Sequence, residues 1–192
     1  MQRAARCPRD TLIRMHTAYI AMGSNLASHA GGSAETLAAA AERLASLGRI
    51  AARSSLYRTE PVGFTSQPQF VNAVAALETG LSPHTLLLRL LAIERDFGRD
   101  RTHGVTNGPR TLDLDILMVG DFVLHEADLD LPHPRMAERA FVLVPLQEIA
   151  PNLIEPRSRQ SIAALLRSLQ VADPALIQQV APIANPAWDA AR

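Results

Sequence analysis

Residues 108–120 have the sequence GPRTLDLDILMVG, in which a short apolar run contains two aspartates spaced one residue apart. An apolar run of this length, bounded by turn residues, predicts a buried β-strand. Side chains at positions i and i+2 of a strand lie on the same face. Asp113 and Asp115 are therefore expected to project together, while Leu114 projects to the opposite face.

The two aspartates need a positively charged partner. Their Cβ atoms are expected roughly 7 Å apart, and burying either carboxylate unpaired would be costly. Hard oxygen ligands without a neighbouring His or Cys favour Mg²⁺ over zinc, and Mg²⁺ commonly shares its coordination sphere with substrate phosphates. The pair thus predicts a magnesium and nucleotide site at Asp113 and Asp115. The alternative is that the Asp-x-Asp pattern marks the exposed face of an edge strand.

Three arginines precede the predicted strand. Arg99 and Arg101 lie in the loop predicted over 99–109, and Arg110 lies next to Pro109 at the entrance of the strand. Cations beside a metal-binding carboxylate pair are what phosphoryl transfer requires, because the transferring group accumulates negative charge. The alternative for these arginines is solvated loop charge.

The segments upstream of this strand alternate between strand and helix patterns. The predicted elements are a strand over 17–24, a helix over 33–48, strands over 50–63 and 69–79, and a helix over 82–98. Ser33 and Ser82 are predicted to be the N-caps of the two helices. With the aspartate strand the order is βαββαβ, which predicts a ferredoxin-like α+β sandwich with a mainly antiparallel sheet. A downstream helix or helix pair, broken near Pro145, is predicted within 135–151.

The chain is predicted to have one domain with additions at both ends. Residues 1–16 are expected to be a flexible N-terminal extension, residues 17–172 the domain, and residues 173–192 a peripheral C-terminal tail. Because periodic sequence begins at Thr17, Met15 is a hypothetical natural start.

The overall composition excludes several classes of function. Nineteen basic residues, all arginine, balance nineteen acidic residues, so no global field would attract nucleic acid or an anionic membrane. Without lysine there is no P-loop lysine. The single cysteine, Cys7, precludes an intramolecular disulfide and is consistent with a cytoplasmic protein. No apolar stretch approaches the roughly 20 residues of a membrane span.

The sequence resembles a known family. GPRTLDLDIL (108–117) is similar to the signature of the 6-hydroxymethyl-7,8-dihydropterin pyrophosphokinases. Similar segments, in the family's order, are AYIAMGSNL (18–26), YRTEPVG (57–63), QPQFVNAV (67–74) and LPHPRMAERAFVLVPLQEIAP (131–151). The resemblance implies a ferredoxin-like fold. It also implies transfer of the terminal pyrophosphate of ATP to the hydroxymethyl oxygen of 6-hydroxymethyl-7,8-dihydropterin, with release of AMP, in folate biosynthesis.

The resemblance also implies residue roles at the nucleotide end of the site. Asp113 and Asp115 match metal ligands that hold two Mg²⁺ along the triphosphate. Arg99 and Arg110 match arginines that contact the phosphates and assist transfer, and Arg101 matches a mobile helper. The positions that match nucleotide contacts are Glu94, His133, Arg139 and Ile116, the last packing on adenine.

At the pterin end, Phe70 and Phe141 match two aromatic residues that sandwich the ring, and Asn72 matches an amide that reads its hydrogen-bonding edge. From the sequence alone the two phenylalanines would more often be core residues, whereas an amide in an apolar strand requires partners. Thr59 and Val62 match further contacts to the ring. Gly23 suits either a close approach of backbone to ligand or a plain turn.

The sequence departs from the family pattern at Asn107, which lies where some members have a tryptophan that closes over the pterin, and at Asp128, Asp130 and Pro134, where other members offer Tyr, Arg or Thr to the nucleotide. The expected partners are the two small-molecule substrates, with no nucleic acid, no membrane and a monomeric chain. Two other functions remain open: a noncatalytic ferredoxin-like module for RNA or a small ligand, and a Mg²⁺-dependent phosphohydrolase that uses the aspartates to activate water.

Overall fold

The computed structural model describes residues 14–101 and 107–190. The strands are β1 His16–Ser24, β2 Arg49–Arg53, β3 Leu56–Thr59, β4 Phe70–Thr79, β5 Asp113–Val119, β6 Leu124–His125, β7 Asp130–Leu131 and β8 Val180–Ile183. The α-helices are α1 Ser33–Leu44, α2 Pro83–Asp96, α3 Ala140–Ile149, α4 Ile162–Ala172, α5 Pro174–Gln178 and α6 Pro186–Asp189. Short 3₁₀ helices cover Ala45–Leu47 and Met136–Glu138.

The main sheet has the strand order β5-β1-β4-β3-β8, and β2 also pairs with β4. Every pairing in it is antiparallel. The first strand lies between the last strand of the βαββαβ unit and β4, as the right-handed crossovers of a ferredoxin-like fold require. The predicted ferredoxin-like α+β fold is confirmed.

The second predicted strand is divided into β2 and β3, which pair with successive parts of β4. The division occurs at the fully buried Ser54. The backbone N–H of Ser54 donates to the Val74 carbonyl at 2.9 Å, and the Ser54 hydroxyl accepts from the Val74 N–H at 3.0 Å. The serine hydroxyl thus takes the place of a backbone carbonyl in the hydrogen bonding between the strands. The pattern of apolar residues in the sequence gives no sign of this exchange.

The helix boundaries differ from the prediction in detail. The N-cap of α1 is Gly32 rather than Ser33. The predicted cap of α2 is confirmed, because the Ser82 hydroxyl accepts from the N–H of Thr85 and proline occupies the first turn. Pro145 lies inside α3 instead of ending it, and the two downstream helices meet at Arg139.

Apolar clusters cover both faces of the sheet. On one face, Ile20 and its neighbours pack with Leu37 of α1 and Leu90 of α2. On the other face, Leu117 packs with Leu143 and other residues of α3 and α4. The helices after the βαββαβ unit therefore cover the second face of the sheet.

The C-terminal segment corrects the prediction of a peripheral tail. β8 pairs with β3 and extends the main sheet, and Trp188 of α6 is fully buried in the core. The composition of this segment, rich in Ala, Pro and Gln, did not indicate either the strand pairing or the burial of Trp188. Of the predicted N-terminal extension, residues 1–13 lie outside the described residues. No described helix combines the length and the apolar composition that crossing a bilayer requires.

Candidate active site

Strand β5 places the two aspartates on one face of the sheet. Asp113 pairs with Gly23 and Asp115 with Ala21 of β1, and both side chains line a cavity of about 490 Å³. Leu114 between them is 2% exposed in the core. The alternation expected from the sequence therefore holds, and the carboxylates share one open face.

Asp113 is held by two arginines from opposite ends of the loop before β5. Arg99 Nη1 donates to Asp113 Oδ1 at 2.6 Å and to the Leu112 carbonyl at 2.8 Å. Arg110 Nε lies 2.9 Å from Asp113 Oδ2, an ion pair without the alignment of a hydrogen bond. Both guanidinium groups are thereby fixed at the cavity wall.

Asp115 has looser partners and is more open to the cavity. Its Oδ2 lies 3.7 Å from Arg139 Nη1 and 4.0 Å from His133 Nε2, and its side chain is 37% exposed. Burial, and next the negative charge of Asp113, raise the pKa of the Asp115 carboxyl above its ordinary value. A cation bound between the two aspartates would relieve this repulsion.

Glu94 does not line the cavity but is buried next to it, where it contacts Arg101 and Arg99. Its side chain is 1% exposed, and its Oε2 accepts from Arg101 Nε at 2.9 Å and Nη2 at 2.6 Å. Its Oε1 accepts the backbone N–H of Leu114 at 2.8 Å and lies 3.8 Å from Arg99 Nη1. This position does not support the predicted direct contact of Glu94 with the nucleotide.

His133 and Arg139 line the cavity on the side of α3. The N–H of His133 donates to the Leu117 carbonyl at 2.8 Å, which fixes the residue against β5. Burial lowers the pKa of the His133 imidazole, and Asp115 acts in the opposite direction. Burial likewise lowers the pKa of Arg139. Both side chains lie beside Asp115.

Ile116 is placed differently from its predicted role. It is 5% exposed, belongs to the core cluster beneath α1 and α2, and does not line the cavity. The side-chain alternation that orients Asp115 toward the cavity turns Ile116 away from it. The position does not support the predicted packing of Ile116 on adenine.

Asn72 lies in the middle of the sheet with an ordered amide. It pairs with Gly23 on β1 and Tyr57 on β3, is 7% exposed, and lines the cavity. Its Nδ2 donates to Thr59 Oγ1 at 2.7 Å. A Cβ at Gly23 would come within 3.0 Å of the Asn72 Oδ1, so the glycine leaves room for the amide. The close approach at Gly23 is thus to Asn72.

Two aromatic rings, those of Phe70 and Phe141, also line the cavity. Phe70 is 7% exposed and the Arg110 guanidinium lies 4.8 Å from its ring centre. Phe141 is partly buried against the second core cluster, and the Arg139 guanidinium lies 5.6 Å from its ring centre. Each ring therefore combines a core contact with a face on the cavity. Val62 lines the cavity from the loop after β3, and half of its surface is exposed.

The sequence did not indicate all of the cavity wall. Additional lining residues include Arg135, Glu138 and, from the C-terminal segment, Leu176, Gln179 and Val180. No motif in the sequence indicated the last three, which lie in or next to α5 and β8. Asn107 also lines the cavity, with a positive φ of 58°, while residues 102–106 of the predicted loop lie outside the described residues.

A second set of possible cation ligands lies elsewhere. His84, Glu126 and Asp128 place their ligand atoms within 4.8 Å of one another on the surface, and none of them lines the cavity. Exposed groups of this kind are common without a metal. The cavity itself contains arginines Arg99, Arg101, Arg110, Arg135 and Arg139 around the two aspartates. Four carboxylates also line the cavity, those of Glu60, Asp113, Asp115 and Glu138, so the arginines offer guanidinium donors to a polyphosphate rather than a large excess of positive charge.

The fold and the cavity together define a ferredoxin-like protein in which arginines and carboxylates share a cavity with two aromatic rings and an amide. The family described as 7,8-dihydro-6-hydroxymethylpterin-pyrophosphokinase (HPPK) matches residues 19–151. The chain belongs to this family.

Curated relatives agree with this assignment. A 2-amino-4-hydroxy-6-hydroxymethyldihydropteridine pyrophosphokinase of Haemophilus influenzae is 44% identical over 166 residues, which cover 85% of this chain and 98% of the relative. The Pseudomonas aeruginosa protein of the same name is 47% identical and covers 73% of this chain and 85% of its own length.

A solved structure of wild-type Plasmodium falciparum HPPK-DHPS with pterin and p-hydroxybenzoate superposes with a TM-score of 0.67 at 16% identity. The match covers 88% of this chain and 45% of the Plasmodium chain, so the chain spans about half the length of that protein. At this identity the likeness supports the fold alone.

Proposed function

We propose that this chain transfers the terminal pyrophosphoryl group of ATP to the hydroxymethyl oxygen of 6-hydroxymethyl-7,8-dihydropterin, giving the pterin diphosphate and AMP in folate biosynthesis. Its family and the names of its relatives support this activity. The observation that carries it is that carboxylates, arginines, two aromatic rings and an amide line one and the same cavity. Transfer of a phosphoryl group from a polyphosphate to a flat heterocycle requires that both substrates bind side by side in one cavity.

The carboxylate pair fits Mg²⁺. Asp113 and Asp115 offer oxygen ligands on one face, and the raised pKa of Asp115 reflects a repulsion that a cation would relieve. Two Mg²⁺ held by these residues would neutralise charge along the triphosphate. Water and phosphate oxygens would occupy the remaining coordination positions of each Mg²⁺, as is usual for this ion.

The arginines are proposed to bind and orient the phosphates. Arg99 and Arg110 are already fixed by Asp113, so their unused N–H donors require little reorganisation to meet a phosphate. Arg101 is held by the buried Glu94, which acts through it rather than on the nucleotide. His133 and Arg139 are proposed to contact ATP from the side of Asp115.

The aromatic and amide end is proposed to bind the pterin. Phe70 and Phe141 offer ring faces for stacking, and Asn72 offers an amide to the polar edge of the heterocycle. Thr59 orients that amide, and Val62 packs at the mouth of the pocket. Gly23 leaves the space that the amide requires.

In the proposed reaction a bond forms between the hydroxymethyl oxygen and the β-phosphorus of ATP. The bond from that phosphorus to the α,β-bridging oxygen breaks, AMP leaves, and the hydroxyl proton is released. The transition state is loose, so in-line placement and charge stabilisation matter more than a strong base. Asp115 borders the same cavity, but no residue is assigned as the base.

We also propose a monomeric, cytoplasmic enzyme that binds neither nucleic acid nor membrane. The zero net charge supports the expected lack of nucleic-acid and membrane binding, and the single cysteine is consistent with a reducing compartment. Light scattering of the purified protein should give the mass of one chain, 20.8 kDa.

The test is AMP release from ATP and Mg²⁺ with and without 6-hydroxymethyl-7,8-dihydropterin. The proposal predicts AMP formation that depends on the pterin. A phosphohydrolase would instead release phosphate or pyrophosphate from ATP alone, and a binding module would give no turnover. Absence of pterin-dependent AMP from the folded protein would refute the proposal.

A further inference from the structure

The C-terminal segment formed by α5 and β8, residues 174–183, supplies part of the cavity wall. Leu176, Gln179 and Val180 line the cavity together with Thr59 and Asn72. These residues lie beyond the segment 19–151 that the family matches. We call residues 174–183 the C-terminal wall.

The C-terminal wall lies at the end of the cavity opposite the aspartates. The sheet order places β5, with the aspartates, four strand spacings from β8, which corresponds to roughly 19 Å. Val180 pairs with Thr59, and the Thr59 hydroxyl accepts the hydrogen bond from Asn72. The wall therefore adjoins the amide and aromatic end.

Two contacts fix the wall in place. The first is the pairing of β8 with β3 along its whole length. The second is Trp188, whose buried indole N–H donates to the Ser54 carbonyl at 2.8 Å. The Arg53 guanidinium lies 4.3 Å from the centre of the Trp188 ring and donates to the Trp188 carbonyl. The wall thus presents its side chains to the cavity from a fixed backbone.

The chemistry of the substrate determines which part of it would meet this wall. The hydroxymethyl group must reach the phosphates at β5, and it is attached at the end of the bicyclic ring opposite the amino-pyrimidinone. The amino-pyrimidinone end must therefore point toward β3 and β8. That end is flat and carries donors and acceptors, so it requires both packing and polar contacts.

We propose that the C-terminal wall determines specificity for the pterin ring, with Leu176 and Val180 packing at its amino-pyrimidinone end and Gln179 offering an amide to its polar edge. The proposal rests on the proposed function of the cavity. It assigns to this chain a substrate contact outside the part matched by the family.

The test compares the double variant Leu176→Ala/Val180→Ala with wild type in the AMP assay. Shortening two apolar contacts is expected to raise KM for the pterin by about tenfold. KM for ATP and kcat at saturating pterin should remain within about twofold, because the wall lies far from the phosphates. Gln179→Ala, at an exposed position, is expected to raise KM for the pterin about threefold.

The matched control is Val171→Ala, which removes an apolar side chain that is 84% exposed and does not line the cavity. It should leave both KM values unchanged. Equilibrium dialysis with the pterin should show the same loss of affinity in the double variant, and thermal unfolding should show that the variant remains folded.

Unchanged pterin affinity in the folded Leu176→Ala/Val180→Ala and Gln179→Ala variants would overturn the proposal, as would an equal rise in KM for both substrates. Failure of the underlying function is distinguishable. In that case wild type itself forms no pterin-dependent AMP, whereas failure of this inference alone leaves wild type active and the variants like it.

Discussion

Replacing Trp188 by alanine should strongly destabilise the fold, because the C-terminal segment is anchored in the core by this residue. Trp188 is fully buried, and its indole donates to the Ser54 carbonyl. A buried tryptophan shortened to alanine costs about 3–5 kcal/mol of unfolding free energy. The lost hydrogen bond and the contact with Arg53 bring the expected total to about 4–6 kcal/mol.

The measurement is urea unfolding followed by far-UV circular dichroism. Fluorescence is unsuitable because Trp188 is the only tryptophan of the chain. A loss of this size approaches the whole stability of a typical domain, so Trp188→Ala should unfold at much lower urea. Trp188→Phe keeps most of the apolar contact and loses the N–H, and it should cost about 1–2 kcal/mol.

The control for this series is Val171→Ala in the exposed part of α4, which should change the unfolding free energy by less than about 0.5 kcal/mol. A loss below about 1 kcal/mol for Trp188→Ala would refute the reasoning. It would mean that the segment after α4 is peripheral, as its composition suggested, and that the C-terminal wall has no anchor.

Asp115→Asn should lower kcat at least about a hundredfold in the AMP assay. Its unfolding temperature should be near or above that of wild type, because burial and Asp113 disfavour the charge on Asp115. Loss of folding in this variant would contradict the prediction. Arg110→Ala should also lower kcat about a hundredfold, and a loss below threefold would exclude a phosphate role. Phe141→Ala should raise KM for the pterin about tenfold without affecting KM for ATP, and equal effects would contradict stacking. The pKa of Asp115 is raised, so the ionised carboxylate is lost as pH falls through that pKa. Mg²⁺ affinity measured by calorimetry should therefore weaken toward acid pH. An affinity that does not change with pH would contradict this.

The order of strands and helices could be predicted because each element carries its own period and cap. The alternation around Leu114 indicated which face the aspartates occupy, and Ser82 with Pro83 indicated the start of α2. Such signals are local, and the βαββαβ order then restricts the topology to few arrangements.

The remaining features depend on contacts between distant residues. The division between β2 and β3 depends on the hydrogen bonds of Ser54 with Val74, and the burial of Trp188 depends on the same serine. The burial of Glu94 under Arg101 likewise requires α2 to pack beside β5. Most of the residues that the resemblance indicated line one cavity, but the resemblance did not distinguish them from Glu94 and Ile116, which are buried outside it.

The most direct test of the central claim is the fate of each phosphorus atom of ATP. The purified protein would be incubated with Mg²⁺, 6-hydroxymethyl-7,8-dihydropterin and ATP labelled separately at the α, β and γ positions. Pyrophosphoryl transfer predicts that the β and γ labels appear together in the pterin product while the α label appears in AMP. Transfer of the γ label alone, or release of label as phosphate without a pterin product, would contradict the account.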